Sequence, residues 1–219
     1  MTLTVCWSAK GGTGTTVVAA CWALETSTPS VLIDVAGDLH LALGIPAPAG
    51  QGLSDWFDSD APPRAVVDLA VQLDTTTRLI PRGPSPISHR SPRWAELGRW
   101  MTASDIEFVA DAGLGPTPTG FPPADAAVEV GAPRARSLLV TRACYIALAR
   151  AQSLGETPDG IVLIEESGRG LSAADITRAL KAPIVAKIAY DPRIGRATDR
   201  GLLAGKLPRS IHKLPQRVA

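Results

Sequence analysis

Cysteine is scarce in this sequence, and the few cysteines do not have the spacing of a metal site. Cys6, Cys21 and Cys144 are the three cysteines, and they form no C-x-x-C pair. Neither a zinc site nor an iron–sulfur site is therefore indicated. Cys6 and Cys21 lie in apolar segments, where a thiol behaves as a small buried hydrophobe. Unpaired thiols of this kind are typical of a reducing cytoplasm.

Long hydrophobic runs are missing as well. No apolar stretch approaches the ~20 residues that a transmembrane helix needs. The N-terminus has no basic region followed by an apolar segment, so no signal peptide is predicted. With 45% hydrophobic and 20% charged residues, the composition is that of an ordinary soluble protein. We expect a cytoplasmic protein whose residues 1–219 form a single domain.

Charge is distributed unevenly along the chain. The net charge is +1, but residues 181–219 hold nine Lys/Arg against two Asp/Glu. The remaining 180 residues hold thirteen Lys/Arg against nineteen Asp/Glu. A basic end on an acidic body is a reason to look for an anionic partner. The end of this region, residues 206–219, is interpreted as a basic C-terminal tail.

Apolar runs of strand length alternate with helical patterns along the whole chain. The strands are predicted at residues 3–7, 30–35, 78–81, 105–110, 137–141, 160–164 and 183–188. Helices are predicted between them, among them 64–73, 94–102, 145–154 and 173–180. Nothing indicates strand hairpins in series. This order predicts an α/β fold, with a mostly parallel central sheet and helices on both faces.

The segment S-A-K-G-G-T-G-T-T, residues 8–16, separates the first predicted strand from the first predicted helix. Strand, glycine-rich turn and helix are the context of a phosphate-binding loop. Glycines let the backbone approach an anion, and the amides at the start of the helix point towards it. The alternative is a flexible turn without a ligand.

The loop resembles the deviant Walker A motif of the ParA/MinD superfamily, K-G-G-x-G-K-[ST]. The resemblance implies a P-loop NTPase architecture of the SIMIBI type and ATP with Mg²⁺ as ligands. Lys10 would be the signature lysine that reaches the partner's nucleotide across a homodimer interface. Thr15 stands where the family has the lysine that contacts the β- and γ-phosphates. The residues implied to bind the nucleotide here are Lys10, Gly11, Gly12, Thr13, Gly14, Thr15 and Thr16.

Two aspartates after predicted strands resemble further motifs of the superfamily. Asp34 fits the first aspartate of D-x-D, and the second, which positions the attacking water, falls on Ala36. Asp38 lies two residues further and is the substitute candidate for that catalytic role. Asp111 ends an apolar run and resembles the Walker B aspartate, although a turn-capping role is the alternative. The implied Mg²⁺ site consists of Thr16, Asp34 and Asp111, which are expected to converge just beyond strand ends.

The base of the nucleotide is implied to lie near the last strands. Tyr190, Asp191 and Pro192 resemble the superfamily's loop beside the adenine. Many relatives carry an asparagine after the sixth strand to read that base, and here the position is Glu165. Base specificity is therefore left open.

The resemblance implies a nucleotide-dependent dimeric switch or scaffold that positions cellular machinery through a protein partner. The G-T-T ending of the loop is similar to the CpaE/TadZ branch, which localises Tad/Flp pilus machinery, and septum-site-determining and chromosome-partitioning relatives look alike. Members of that branch commonly carry an N-terminal receiver-like domain, and this sequence begins at the loop's own strand. ATP hydrolysis is expected to be very slow or absent, because charges are missing at Thr15 and Ala36. The alternatives are a nucleotide-independent scaffold and a small-molecule ligase or kinase.

The basic end has two functional interpretations besides a solvated face. One is non-specific DNA binding through phosphates. The other is an amphipathic helix on an anionic membrane, since Leu207, Ile211 and Leu214 are suitably spaced. Pro208 and Pro215 interrupt such a helix. The sequence therefore favours DNA or an acidic protein over a membrane.

Overall fold

The strands are continuous apolar runs because both faces of the sheet are buried. The computed structural model describes residues 3–26, 28–46, 50–121 and 135–205. The side chains of successive strand residues belong to buried clusters on opposite faces of the sheet. In β1 (Leu3–Ser8), Cys6 belongs to one buried cluster, whereas Val5 and Trp7 belong to the other. Side chains alternate across a strand, so a sheet with two buried faces needs apolar residues at every position.

One sheet contains all strands of the described residues. In chain order they are β1 (Leu3–Ser8), β2 (Ser30–Asp34), β3 (Val71–Gln72), β4 (Thr77–Ile80), β5 (Glu107–Leu114), β6 (Ala135–Arg142), β7 (Gly160–Glu165) and β8 (Ile184–Ala189). The spatial order is β3-β4-β2-β5-β1-β6-β7-β8, and only the β3–β4 pair is antiparallel. The direction of winding reverses at β1, and ligands of such sheets bind at the carboxyl ends of strands near this reversal. The prediction of an α/β fold with a mostly parallel sheet is confirmed.

Helices cover both faces of the sheet. They are α1 (Thr15–Leu24), α2 (Leu39–Leu43), α3 (Leu53–Phe57), α4 (Arg93–Ala103), α5 (Tyr145–Leu154), α6 (Ala173–Leu180) and α7 (Pro192–Thr198), with 3-10 helices at Pro63–Leu69 and Leu203–Gly205. Val18 and Leu39 bring α1 and α2 into one core, while Leu53 and Trp94 bring α3 and α4 into the other. Within the described ranges, no helix is long and apolar enough to cross a membrane.

The helix predicted over residues 64–73 is wrong in its second half. A 3-10 helix spans Pro63–Leu69, and the chain then pairs as the short edge strand β3 with β4. The side chain of Asp74 accepts hydrogen bonds from the backbone amides of Thr76 and Thr77, at 2.8 and 2.7 Å, and so closes the hairpin. An aspartate that binds amides two and three residues further on favours a turn over a continued helix.

Strand β5 extends further than its apolar run predicts. Asp111 lies inside the strand rather than beyond its end, and pairing continues to Leu114. The register against β1 shifts between Cys6 and Trp7, so that Trp7 pairs with Gly113. Gly113 has a φ of 70°, which glycine adopts without strain. This bulge fixes the end of β5 to the residues that immediately precede the glycine-rich loop.

Candidate functional site

The glycine-rich loop leaves β1 and enters α1 through a glycine conformation. Gly12 and Gly14 have φ values of 74° and 96°, in the left-handed region that other residues avoid. Gly14 is the N-cap of α1, and no side chain caps this end of the helix. The first amides of α1 therefore keep their hydrogen-bonding capacity for an anion, and the helix dipole favours negative charge there.

Thr15 does not imitate the lysine whose place it takes. Its side chain is buried, and its hydroxyl lies 3.3 Å from the hydroxyl of Thr13, which is buried as well. The two threonines satisfy each other within the loop. The position that carries a mobile cation in the motif is thus a short neutral side chain turned into the protein.

Lys10 is the cation at the front of the loop. Its ammonium group donates one long hydrogen bond, 3.4 Å, to the carbonyl oxygen of Gly11. Among the described residues it forms no ion pair with a carboxylate. The backbone amide of Ala147, at the start of α5, lowers the pKa of the Cys144 thiol most, and the nearby charge of Lys10 lowers it further. Its charge is therefore available on the surface beside the loop.

The three predicted metal residues come together at the carboxyl edge of the sheet. Asp34 is the last residue of β2 and pairs in register with Asp111 of β5. Both carboxylates are fully buried. Burial raises the pKa of Asp111 to about 7, although the Thr16 hydroxyl lies close enough to lower it, and the negative charge of Asp34 raises it further. Such a group is costly to ionise without a nearby cation.

The two carboxylates differ in how their oxygens are used. Asp34 accepts the Gly37 amide on Oδ1, at 2.6 Å, and the Leu39 amide on Oδ2, at 3.1 Å, and thereby shapes the turn after β2. Burial raises its pKa against the effect of these two amides. Asp111 accepts the Gly113 amide on Oδ1, at 3.1 Å, but its buried Oδ2 has no well-formed hydrogen bond within the described residues. A free buried carboxylate oxygen beside a threonine hydroxyl fits a Mg²⁺ shell.

The neighbourhood of Ala36 contains an arginine that the motifs do not predict. Nη1 of Arg82 donates to the Ala36 carbonyl oxygen at 3.2 Å, and the guanidinium lies flat against Gly37. Asp38 is exposed at the start of α2, and its charge raises the pKa of both Asp34 and Asp111. A cavity of about 500 Å³ adjoins Arg82 and His40. The sequence around Arg82 carries no signal for this contact, which depends on the pairing of β4 with β2.

A second cavity, of about 240 Å³, joins the loop to the last strands. Gly12, Thr13 and Gly14 form one end, and Tyr190 and Asp191 form the other. Apolar side chains of α1, β7, β8 and α7 line the space between them, and these are Val17, Val18, Ile164, Ile188 and Ile194. An apolar pocket that opens onto an uncapped helix N-terminus suits a flat ring attached to an anionic group.

Comparisons with known proteins find similarity at the level of structure. No family model matches the sequence, and no curated protein matches it. A ParA family ATPase from Chlorobium tepidum TLS superposes with a TM-score of 0.72 at 19% identity, covering 99% of this chain and 97% of that one. The septum site-determining protein MinD complexed with Mg-ADP, from Pyrococcus horikoshii OT3, gives 0.71 at 20%, covering 100% and 94%. The chain has the ParA/MinD fold.

A third ParA/MinD-fold structure is the MinC:MinD cell division protein complex of Aquifex aeolicus. It superposes with a TM-score of 0.72 at 21% identity, and covers 100% of this chain and 95% of that one. At such identities the similarity establishes the fold alone.

Of the residues expected beside the base, Tyr190 and Asp191 line the cavity of about 240 Å³, whereas Pro192 does not. Asp191 reaches the cavity, but its carboxylate caps α7 by accepting from the Arg193 amide at 2.8 Å, and it also pairs with the Arg193 guanidinium at 2.7 Å. Pro192 is the exposed first residue of α7. Glu165 is exposed at the end of β7 and pairs with Lys187 at 3.3 Å. Arg142, which the motifs do not predict, lines the cavity instead.

Proposed function

We propose that this chain binds ATP with Mg²⁺ at the loop of residues 9–16 and acts as a dimeric switch or scaffold. The observation that carries the proposal is the uncapped N-terminus of α1. Its first turn contains Thr16, whose hydroxyl lies beside Asp111 at the edge of the sheet. Two structures of the same fold support the proposal, because the Pyrococcus MinD is complexed with Mg-ADP and the Aquifex MinD with MinC. The phosphates would lie on the amides of the loop, and the base in the adjoining apolar cavity.

The residues present fit a Mg²⁺ ion. The hydroxyl of Thr16 would be its direct protein ligand, and Asp111 would hold the ion's water shell through its unpaired Oδ2. Asp34 would contribute negative charge while its oxygens hold the turn at Gly37 and Leu39. Within the described residues no group of three or more His, Cys, Asp and Glu could hold a metal by itself. The phosphates and water would complete the coordination.

Lys10 supports dimerisation in response to the nucleotide. A loop that served one chain alone would not need a lysine at its front, and Lys10 has no carboxylate partner within the described part of the chain. In a face-to-face dimer, the ammonium group would neutralise the phosphates held by the other copy.

Lys10→Ala is expected to abolish nucleotide-dependent dimerisation. Wild-type protein should elute as a monomer without nucleotide and as a dimer with ATP and Mg²⁺, whereas the variant should stay monomeric in both. Size-exclusion chromatography with light scattering measures the mass directly. Lys187→Ala is the matched control, because Lys187 is an exposed lysine paired with Glu165 on β7.

A mass that does not change with ATP and Mg²⁺, in wild type and variant alike, would contradict the switch. A dimer that forms equally without nucleotide would identify the alternative, a nucleotide-independent scaffold. Rapid turnover of a small carboxylic acid or another metabolite would identify the other alternative, a ligase or kinase.

We propose that the machinery positioned is of the kind served by ParA- and MinD-type proteins, namely pilus assembly, chromosome partitioning or septum placement. The loop ending G-T-T favours the CpaE/TadZ type of pilus localisation among these. The recruited partner would be a protein, and hydrolysis would be very slow, since neither Thr15 nor Ala36 carries a charge.

Non-specific DNA is the proposed anionic partner of the basic end. Arg196 and Arg200 are exposed at and after α7, while Arg193 is occupied by Asp191. The tail of residues 206–219 lies outside the described residues.

Arg196→Glu with Arg200→Glu is expected to weaken binding of random duplex DNA at low salt, because contacts to phosphates contribute to affinity whatever the DNA sequence. A gel shift measures this, with liposome flotation as the comparison. Unchanged DNA binding by the variant, or retention on anionic liposomes alone, would contradict the proposal.

A further inference from the structure

Arg142 closes one wall of the cavity beside the loop. It is the last residue of β6, and its guanidinium carbon lies 4.8 Å from the centre of the Tyr190 ring. A guanidinium over an aromatic face at this distance is an attractive cation–π contact. The spacing leaves no room for another ring between them, so the two side chains form one continuous surface.

The position of Arg142 is fixed from its outer side. Nη1 of Arg142 lies 3.8 Å from Oε2 of Glu166. Glu166 is in turn bound by the guanidinium of Arg169, and the two residues follow β7. Glu166, itself bound by Arg169, thus holds the arginine against Tyr190 before any ligand binds.

One donor of Arg142 remains unused. Its Nε is buried and has no hydrogen-bond partner within the described residues. A buried donor without an acceptor is costly in free energy. Because this nitrogen is out of reach of solvent, a ligand in the cavity would meet the planar face of the guanidinium rather than the Nε donor.

The carboxylates in and beside the cavity do not select one purine. Glu165, at the position where relatives carry an amide, is exposed and paired with Lys187. The carboxylate of Asp191 is bound to Arg193. Asp199 also lines the cavity, and a carboxylate accepts from the amino group of adenine and from the N–H groups of guanine alike.

We propose that Arg142 and Tyr190 form the stacking wall for the base, and that the site takes purine nucleotides without distinguishing adenine from guanine. The inference rests on the proposed nucleotide binding and adds its ligand class. A purine covers more of this wall than a pyrimidine does, and adenine and guanine cover it equally.

Competition against radiolabelled ATP in equilibrium dialysis with Mg²⁺ tests this specificity. Unlabelled ATP and GTP should compete within about threefold of each other, and CTP more weakly than either, because its smaller ring covers less of the wall. Arg142→Ala should weaken both purine nucleotides by about tenfold or more. Arg142→Lys, which keeps the charge but not the planar group, should weaken them nearly as much.

Two control variants separate this role from folding and from general charge. Glu165→Ala should leave all affinities unchanged, because Glu165 faces Lys187. Arg178→Ala removes an exposed arginine of α6, and it too should change nothing. Circular dichroism and thermal unfolding establish that each variant is folded.

Three results would overturn the inference. One is tight ATP binding with a preference of more than about tenfold over GTP, and another is an affinity that Arg142→Ala does not change. In both cases nucleotide binding itself survives. The third is an absence of ATP binding by wild-type protein, which would overturn the proposed function together with this inference.

Discussion

Thr15→Lys combined with Ala36→Asp is expected to raise the rate of ATP hydrolysis by at least about two orders of magnitude. The first change restores a cation at the start of α1, where the Thr15 hydroxyl now lies 3.3 Å from Thr13. The second restores a carboxylate on the turn after β2, at a half-buried position. One well-placed electrostatic group commonly contributes about 10²–10³ in rate.

The turn that would receive the new carboxylate is already well defined. The Ala36 amide donates to the Asp111 carbonyl oxygen at 3.1 Å, and Arg82 donates to the Ala36 carbonyl oxygen. A side chain at residue 36 therefore starts from a fixed point close to Asp111, where the phosphates and Mg²⁺ are proposed to lie.

Phosphate release under single-turnover conditions measures the gain, and the two single variants are the controls. Each should give only part of the increase, since the groups act on the same step. Unchanged hydrolysis in a double variant that still binds ATP would contradict the proposal that the charges missing at residues 15 and 36 limit the rate.

Asp111→Asn is expected to stabilise the protein without ligand above pH 7. Burial raises the pKa of Asp111 from its usual 3.8 to about 7. Between these two values the unfolded chain ionises while the native protein keeps the proton, so stability is lost as the pH rises and the whole loss is present above about 7. Each pKa unit corresponds to about 1.4 kcal/mol. Asparagine has a similar shape and no charge to bury.

Thermal unfolding at pH 5 and pH 8 tests this pH dependence. The variant should unfold at a higher temperature than wild type at pH 8, by roughly 2–4 °C for each kcal/mol gained, and the difference should shrink at pH 5. With ATP and Mg²⁺ the order should reverse, because only the aspartate can hold the ion's shell. Asp105→Asn, at an exposed position just before β5, is the control and should change neither value.

Asp34→Asn is expected to do the opposite and destabilise the protein. Both oxygens of Asp34 accept backbone amides, from Gly37 and Leu39. An asparagine amide would face one of those donors with another donor and leave it unsatisfied, at a cost of about 1–3 kcal/mol. Equal effects of the two substitutions would contradict the different roles assigned to the two carboxylates.

The parts of the fold that the sequence predicts are those set by local pattern. Helices α5 and α6 have the predicted bounds, Tyr145–Leu154 and Ala173–Leu180, because apolar spacing and flanking turn residues act over a few positions. The edge strand β3 is missed because two exposed residues, Val71 and Gln72, carry no alternation, and their structure depends on pairing with β4.

The candidate site divides in the same way. The loop and the two aspartates can be located from the sequence, since strand, turn and helix are consecutive. Arg142 and Arg82 cannot, because their contacts join residues far apart in the chain. Arg142 ends β6 and contacts Tyr190, which follows β8, with β7 between the two strands. Arg82 follows β4 and contacts Gly37, which follows the neighbouring strand β2. Such contacts follow from the order of strands in the sheet, which no local pattern specifies.

The central claim is that the loop between β1 and α1 binds a Mg²⁺–nucleotide, and isothermal titration of ATP into the full chain with Mg²⁺ tests it most directly. We expect one nucleotide per chain, with an affinity that falls when Mg²⁺ is chelated and when Thr16 is replaced by alanine. No measurable binding at millimolar ATP, or binding that neither Mg²⁺ nor Thr16→Ala changes, would contradict it.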